Sequence, residues 1–91
     1  MATYTIESIR RKDNYSITIA NRERDLINET QPHAAFWRGL DEAITNAASA
    51  WTAITMAEPE ANLVFRDKPF DFAEEGDVAR LRGFLQDLRS L

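Results

Sequence analysis

The sequence predicts an α+β fold in which an antiparallel sheet carries two helices packed on one of its faces. Three observations support this prediction. Near the N-terminus apolar and polar side chains alternate, the middle of the chain is rich in alanine with apolar residues at helical spacing, and leucines recur at helical spacing near the C-terminus. Because strands gathered before a helix are typical of α+β domains, we expect the order β-β-β-α-β-β-α in one domain over residues 1–91.

An N-terminal β-meander begins the predicted sheet. Residues 3–9 are rich in β-forming side chains, and residues 15–20 alternate apolar with small or polar side chains. Between them, residues 13–14 are Asp-Asn, which favours a turn. A second polar turn over 21–25 leads to a short third strand over 26–30, which completes the meander.

The first predicted helix begins at residues 30–32, Thr-Gln-Pro, because threonine can cap a helix and proline is tolerated in the first turn. We expect this helix to end near residues 48–50, since residues 51–56 have the composition of a strand. Trp51 also continues the apolar helical stripe, which leaves this boundary open.

Two further short strands and a second helix complete the prediction. The strands cover residues 63–65 and, at the edge of the sheet, residues 70–72. The second helix has acidic residues in its first turn and Arg89 in its last, which suits the helix dipole. Its apolar stripe consists of Val78, Leu81, Leu85 and Leu88.

The composition excludes several kinds of active site. The chain has no cysteine, one histidine and three glycines, so it offers no thiol nucleophile, no multi-histidine or thiolate metal site and no glycine-rich phosphate loop. His33, expected in the first turn of the first helix, would need partners for general-base catalysis that no motif supplies. We therefore expect a protein that is not an enzyme and needs no cofactor or metal.

The charge is unevenly distributed. The net charge is −4, with +2 on residues 1–24 and −6 on residues 25–91. Such an acidic balance disfavours direct binding to nucleic acid or to an anionic membrane. The sequence has no apolar run near 18 residues and no basic segment followed by an apolar core at its N-terminus, so we expect a cytoplasmic protein.

These observations favour a small interaction domain, a regulator, adaptor or inhibitor of the bacterial or phage accessory type, which binds another protein with a basic surface through its own acidic surface. Trp37, at the edge of the first helical stripe, is a further candidate contact because tryptophan is enriched at interfaces. A metal site in the acidic run before the second helix is an alternative that the helix dipole makes unnecessary. The acidic candidates are Glu58, Glu60, Asp71, Glu74, Glu75 and Asp77.

Two other functions remain open. In the first, arginines of the N-terminal hairpin clamp a small anionic ligand or contact nucleic-acid phosphates. In the second, the chain self-associates through a strand edge or a helix face. Gly83, predicted inside the second helix, marks either a close approach by another backbone or a tolerated exposed position. The basic candidates are Arg10, Arg11, Lys12, Arg22 and Arg24.

Overall fold

The computed structural model describes residues 3–11, 14–21 and 33–89. Within these ranges the element order β-β-β-α-β-β-α matches the prediction, although the third and fifth strands are formed by other residues than predicted. The elements are β1 (Thr3–Arg11), β2 (Asn14–Asn21), β3 (His33–Trp37), α1 (Leu40–Ala57), β4 (Asn62–Phe65), β5 (Lys68–Pro69) and α2 (Glu75–Arg89).

The sheet is mixed, so the prediction of an antiparallel sheet is wrong at one position. The strand order is β3-β2-β1-β4-β5, and every neighbouring pair is antiparallel except β1 and β4. The meander ends at β3 on one edge, and α1 then carries the chain across the sheet to the free side of β1. A helical crossover of this kind is the ordinary way to join parallel strands, and periodicity within a strand contains no information about it.

The predicted N-terminal hairpin is confirmed. β1 and β2 pair from Tyr4 opposite Asn21 to Arg11 opposite Asn14, with Ile6 opposite Ile19. Because residues opposite one another share a face, the buried Tyr4 and Ile6 of β1 and Tyr15, Ile17 and Ile19 of β2 form one inner surface.

Both helices pack on that inner surface, as expected. α1 contacts β2 and β3, α2 contacts β1, and the two helices contact each other. The predicted stripe of α2 is confirmed, since Leu81 and Leu85 are completely buried. The buried core consists of Tyr4, Ile6, Tyr15, Ile17, Ile19, Ala43, Ile44, Ala47, Ile54, Leu63, Phe65, Phe70, Leu81 and Leu85.

The first helix begins later than predicted. Residues 33–37 form β3 and pair with β2, with His33 opposite Ile19 and Trp37 opposite Tyr15. α1 starts only after Gly39, which is its N-cap and has extended backbone angles. The backbone hydrogen bonds offered by the neighbouring strand outweigh the modest helix preference of two alanines, so sheet pairing determines this segment. The predicted strand over 26–30 lies outside the described residues.

The same helix also ends later than predicted, and the strand proposed over 51–56 is wrong. Ile54 is buried on the helical stripe, and the half-buried Trp51 places its ring 5.6 Å from that of Tyr4 in an edge-to-face contact. Thr52 donates its hydroxyl hydrogen to the carbonyl oxygen of Ala48 at 3.0 Å, a bond that suits a threonine within a helix. Burial of one helical face therefore overrides the β-forming composition.

Near the second edge of the sheet, β4 is confirmed, but the edge strand predicted over 70–72 is wrong. Its place is taken by the two residues of β5. Phe70 is buried and its N–H donates to the carbonyl of Leu63 at 2.9 Å, after which the chain leaves the sheet. Pro69 in β5 has no N–H to offer, so this edge is poorly suited to pairing with a strand of another molecule.

Candidate functional site

The two acidic segments singled out in the sequence lie at the end of the sheet where β1 and β4 begin. The Tyr4 hydroxyl donates to the carboxylate of Glu58, which fixes the end of α1 beside the start of β1. The hydrogen bond from Phe70 to Leu63 brings the second segment beside the start of β4. We call this region the acidic end, and it contains Glu58, Glu60, Asp71, Glu74, Glu75 and Asp77.

Two of these carboxylates accept hydrogen bonds that stabilise the turn before α2. The N–H of Asp71 donates to Oδ2 of Asp77 at 2.9 Å, and Oδ1 of Asp71 accepts the N–H of Ala73 at 2.8 Å. Asp77 also forms an ion pair with Arg80 at 3.4 Å. Because these bonds satisfy backbone N–H groups of the turn that precedes α2, Asp71 and Asp77 have a structural role.

Apolar surface lies close in sequence to the other acidic residues. Glu60, Glu74 and Glu75 are exposed, and Met56, in the last turn of α1, is 80% exposed. A groove of about 460 Å³ beside the first turns of α2 is lined by Phe72, Ala73, Glu75, Val78, Ala79 and Arg82. Apolar contacts inside a charged rim are the usual anatomy of a protein interface.

The opposite end of the sheet carries basic residues from segments far apart in sequence. β1, β3 and β4 all run in one direction, so their last residues lie at the same end. Arg11 ends β1, Arg38 follows β3 and Arg66 follows β4. This end also holds acidic groups, among them Asp41, whose carboxylate pairs with Arg82 at 3.0 Å.

Only part of the predicted anion clamp can be placed. Arg10 is half-buried and lies opposite Tyr15 in the β1–β2 register, and Arg11 lies at the end of the same strand. Lys12, Arg22 and Arg24 lie outside the described residues. The sequence did not indicate Arg66 in the turn or Lys68 in β5, because the segment that contains them has no recognisable binding motif.

Arg66 and Lys68 line a second groove, between the β4–β5 hairpin and α2. It has a volume of about 500 Å³ and combines aromatic, small and charged side chains. The guanidinium of Arg66 lies over the ring of Phe84, 5.2 Å from its centre. We call it the hairpin groove, and it is lined by Phe65, Arg66, Lys68, Ala79, Arg80, Gly83, Phe84 and Asp87.

The turn beside this groove has an unusual backbone. Arg66 and Asp67 have φ angles of 54° and 65°, in the left-handed region that glycine and asparagine prefer. The hairpin is held from α2 by Arg80, which donates to the carbonyl oxygens of Phe65 at 3.4 Å and Pro69 at 3.1 Å. The sequence over 66–69 predicts a turn, but it does not predict the left-handed backbone, since neither Arg66 nor Asp67 is glycine or asparagine.

Trp37, His33 and Gly83 were also singled out in the sequence, and the structure shows in which element each one lies. Trp37 ends β3, so the structure places its backbone at the opposite end of the sheet from the acidic residues with which it was grouped, and not on a helical stripe. His33 begins β3 instead of occupying a first helical turn. Gly83 does lie within α2, but a Cβ atom there would meet no atom within 4 Å, so neither helix nor sheet approaches it closely.

Within residues 3–11, 14–21 and 33–89, no group of three histidine, aspartate or glutamate side chains could hold a metal ion. Among those same ranges, neither helix has the length and apolar character needed to cross a membrane. Comparisons with protein-family models, with curated proteins and with solved structures gave no match to this chain.

Proposed function

We propose that this chain is a non-enzymatic protein-interaction module, a regulator, adaptor or inhibitor, that binds a basic partner through its acidic end. The observation that supports this proposal is the convergence of two acidic segments, separated by β4 and β5 in sequence, at one end of the sheet. A surface region on which charges of one sign are concentrated attracts an oppositely charged partner at long range and so increases the association rate.

Charge alone gives little affinity, because exposed ion pairs are weak in water. The apolar surface at the acidic end would supply the rest. Met56, two residues before Glu58, is a large apolar side chain that is 80% exposed, and methionine adapts its shape to different partner surfaces. The groove that includes Phe72 and Val78 offers a second apolar contact.

The proposal is tested with two charge reversals that are matched in position. Glu75 lies in the first turn of α2, and Glu42 in the first turn of α1; both are exposed. Glu75→Lys and Glu42→Lys should each cost about 0.3–1 kcal/mol of stability, because each places a cation near the positive end of a helix dipole. Only Glu75→Lys alters the acidic end.

The measurement is capture of proteins from extracts of the source cells on immobilised wild-type and variant chains, followed by association kinetics with the captured protein. We expect one basic protein to bind wild type and Glu42→Lys alike. Glu75→Lys should associate several-fold more slowly at low salt, with the difference shrinking as salt is added. Equal association by both variants would refute the acidic end as the binding surface.

A further inference from the structure

We propose that the hairpin groove is a second binding site, which takes an oxyanion, a phosphate or carboxylate, attached to a flat apolar group. This site is separate from the acidic end and does not depend on the proposed protein partner. It also differs from the anion clamp expected on the N-terminal hairpin, because its cations come from β5, the turn before it and α2.

The charge of the groove favours an anion. Arg66 and Lys68 are both exposed, and they project from the same hairpin on one side of the groove. Arg80 adds a third positive charge, although its own donors are occupied by two carbonyls and Asp77. Asp87 is the one carboxylate among the described lining residues, which leaves an excess of positive charge there. A planar guanidinium is well matched to a phosphate or carboxylate.

The shape of the groove favours a flat apolar group beside the anion. Ala79 and Gly83 are four residues apart on α2, so they lie on the same helical face and form a floor without long side chains. Phe84 and the overlying Arg66 form one wall, and both present planar surfaces. A volume of about 500 Å³ lies within the usual range of small-ligand sites, about 300–1,000 Å³.

Two sequence choices at this groove reduce stability and therefore call for a reason. Gly83 lies in the interior of a helix, where alanine would be more stable and its Cβ would have no atom of another described segment within 4 Å. Arg66 and Asp67 occupy left-handed backbone positions where glycine would be unstrained. Both choices are explained if the groove must remain open over Gly83 and must present the guanidinium of Arg66.

The test is an NMR titration of ¹⁵N-labelled protein with phenyl phosphate and benzoate, with inorganic phosphate and phenol as half-ligands. We expect saturable shifts of the amides of Arg66, Asp67, Gly83 and Phe84 with at least one aromatic anion. Either half-ligand should bind at least tenfold more weakly. If neither aromatic anion gives saturable shifts in the groove, or if the shifts cluster elsewhere, the proposal is wrong.

Three variants separate the groove from general charge effects. Arg66→Gln should weaken binding at least fivefold, whereas Arg38→Gln, which removes an exposed charge outside the groove, should leave the affinity unchanged. Gly83→Ala should raise the midpoint of thermal unfolding and weaken binding, because the added methyl group occupies the open floor. Equal losses in Arg66→Gln and Arg38→Gln, or unchanged affinity in Gly83→Ala, would overturn the assignment.

An aromatic oxyanion can be a free small molecule or a side chain of another protein. N-acetyl-phosphotyrosine amide distinguishes these sources. At least tenfold tighter binding than phenyl phosphate identifies a phosphorylated peptide as the source, and equal affinity identifies a free small molecule. Failure of the acidic-end variants to affect a protein partner would not change any of these results.

Discussion

The β1–β2 hairpin joins strands of nine and eight residues, whereas the β4–β5 hairpin joins a strand of four residues to one of only two. The first hairpin is stabilised by apolar side chains buried along both strands. The second is fastened from outside the sheet, by the guanidinium of Arg80 on two of its carbonyls. It also contains the left-handed positions and the groove. Among the described residues, the non-glycine positions with left-handed backbone therefore lie in the shorter hairpin, and strained backbone of this kind often occurs at binding sites.

The largest expected effect concerns the burial of side chains in the first hairpin. Ile17 in β2 is 1% exposed, while Ile9 in β1 is 48% exposed on the opposite face of the same hairpin. Ile17→Ala should lower the free energy of unfolding by about 2–5 kcal/mol, because less apolar surface is buried on folding and a cavity remains in the core. Ile9→Ala should cost below about 1 kcal/mol. Denaturant unfolding of both variants measures this, and equal losses would contradict the assigned faces.

The next effect tests how the second hairpin is held. Arg80→Met keeps the apolar stem of the side chain but removes its two hydrogen bonds to carbonyls of the hairpin. It should therefore lower the free energy of unfolding by about 1–3 kcal/mol. Arg82→Met is the matched control on the same helix. It removes only an exposed pair with Asp41 and should cost below about 1 kcal/mol. A loss in Arg80→Met no greater than in Arg82→Met would mean that the hairpin does not depend on this side chain.

A smaller gain in stability is expected at the strained turn. Asp67→Gly should raise stability by about 0.5–1 kcal/mol, because glycine adopts a φ of 65° without steric cost. Asp67→Ala retains the strain and serves as the control. Thermal unfolding distinguishes them, and a midpoint for the glycine variant at or below that of the alanine variant would show that this turn is unstrained.

The smallest expected effect concerns the residues that precede the two helices. α2 begins with the hydrogen bonds of Asp71 and Asp77, whereas the N-cap of α1, Gly39, offers no side-chain hydrogen bond. Gly39→Ser should stabilise α1 by a few tenths of a kcal/mol, since its added Cβ would meet only Cβ of Glu42 at 3.9 Å. Asp71→Ala should destabilise the turn before α2 by about 0.5 kcal/mol, because the N–H of Ala73 loses its acceptor. Opposite signs in denaturant unfolding are the decisive result.

The sequence by itself determined the elements whose side-chain period agrees with their burial. The alternation in β1 and β2 predicted both strands and their inner face, and the stripe through Leu81 and Leu85 predicted α2. In these elements local preference and core packing favour the same conformation, so periodicity is sufficient. The clustering of acidic residues before β4 and around the start of α2 was also visible in the sequence, but their location at the same end of the sheet was not.

Only the tertiary structure decided the segments where local preference and long-range contacts disagree. Residues 33–37 became a strand because β2 offered hydrogen bonds, and residues 51–56 became helix because Ile54 and Trp51 lie on the buried face of α1. The parallel pairing of β1 with β4 follows from the crossover, and it places Arg66 and Lys68 opposite α2. No local sequence pattern predicts that these side chains face α2, because a groove between distant segments exists only after both segments have packed against the same core.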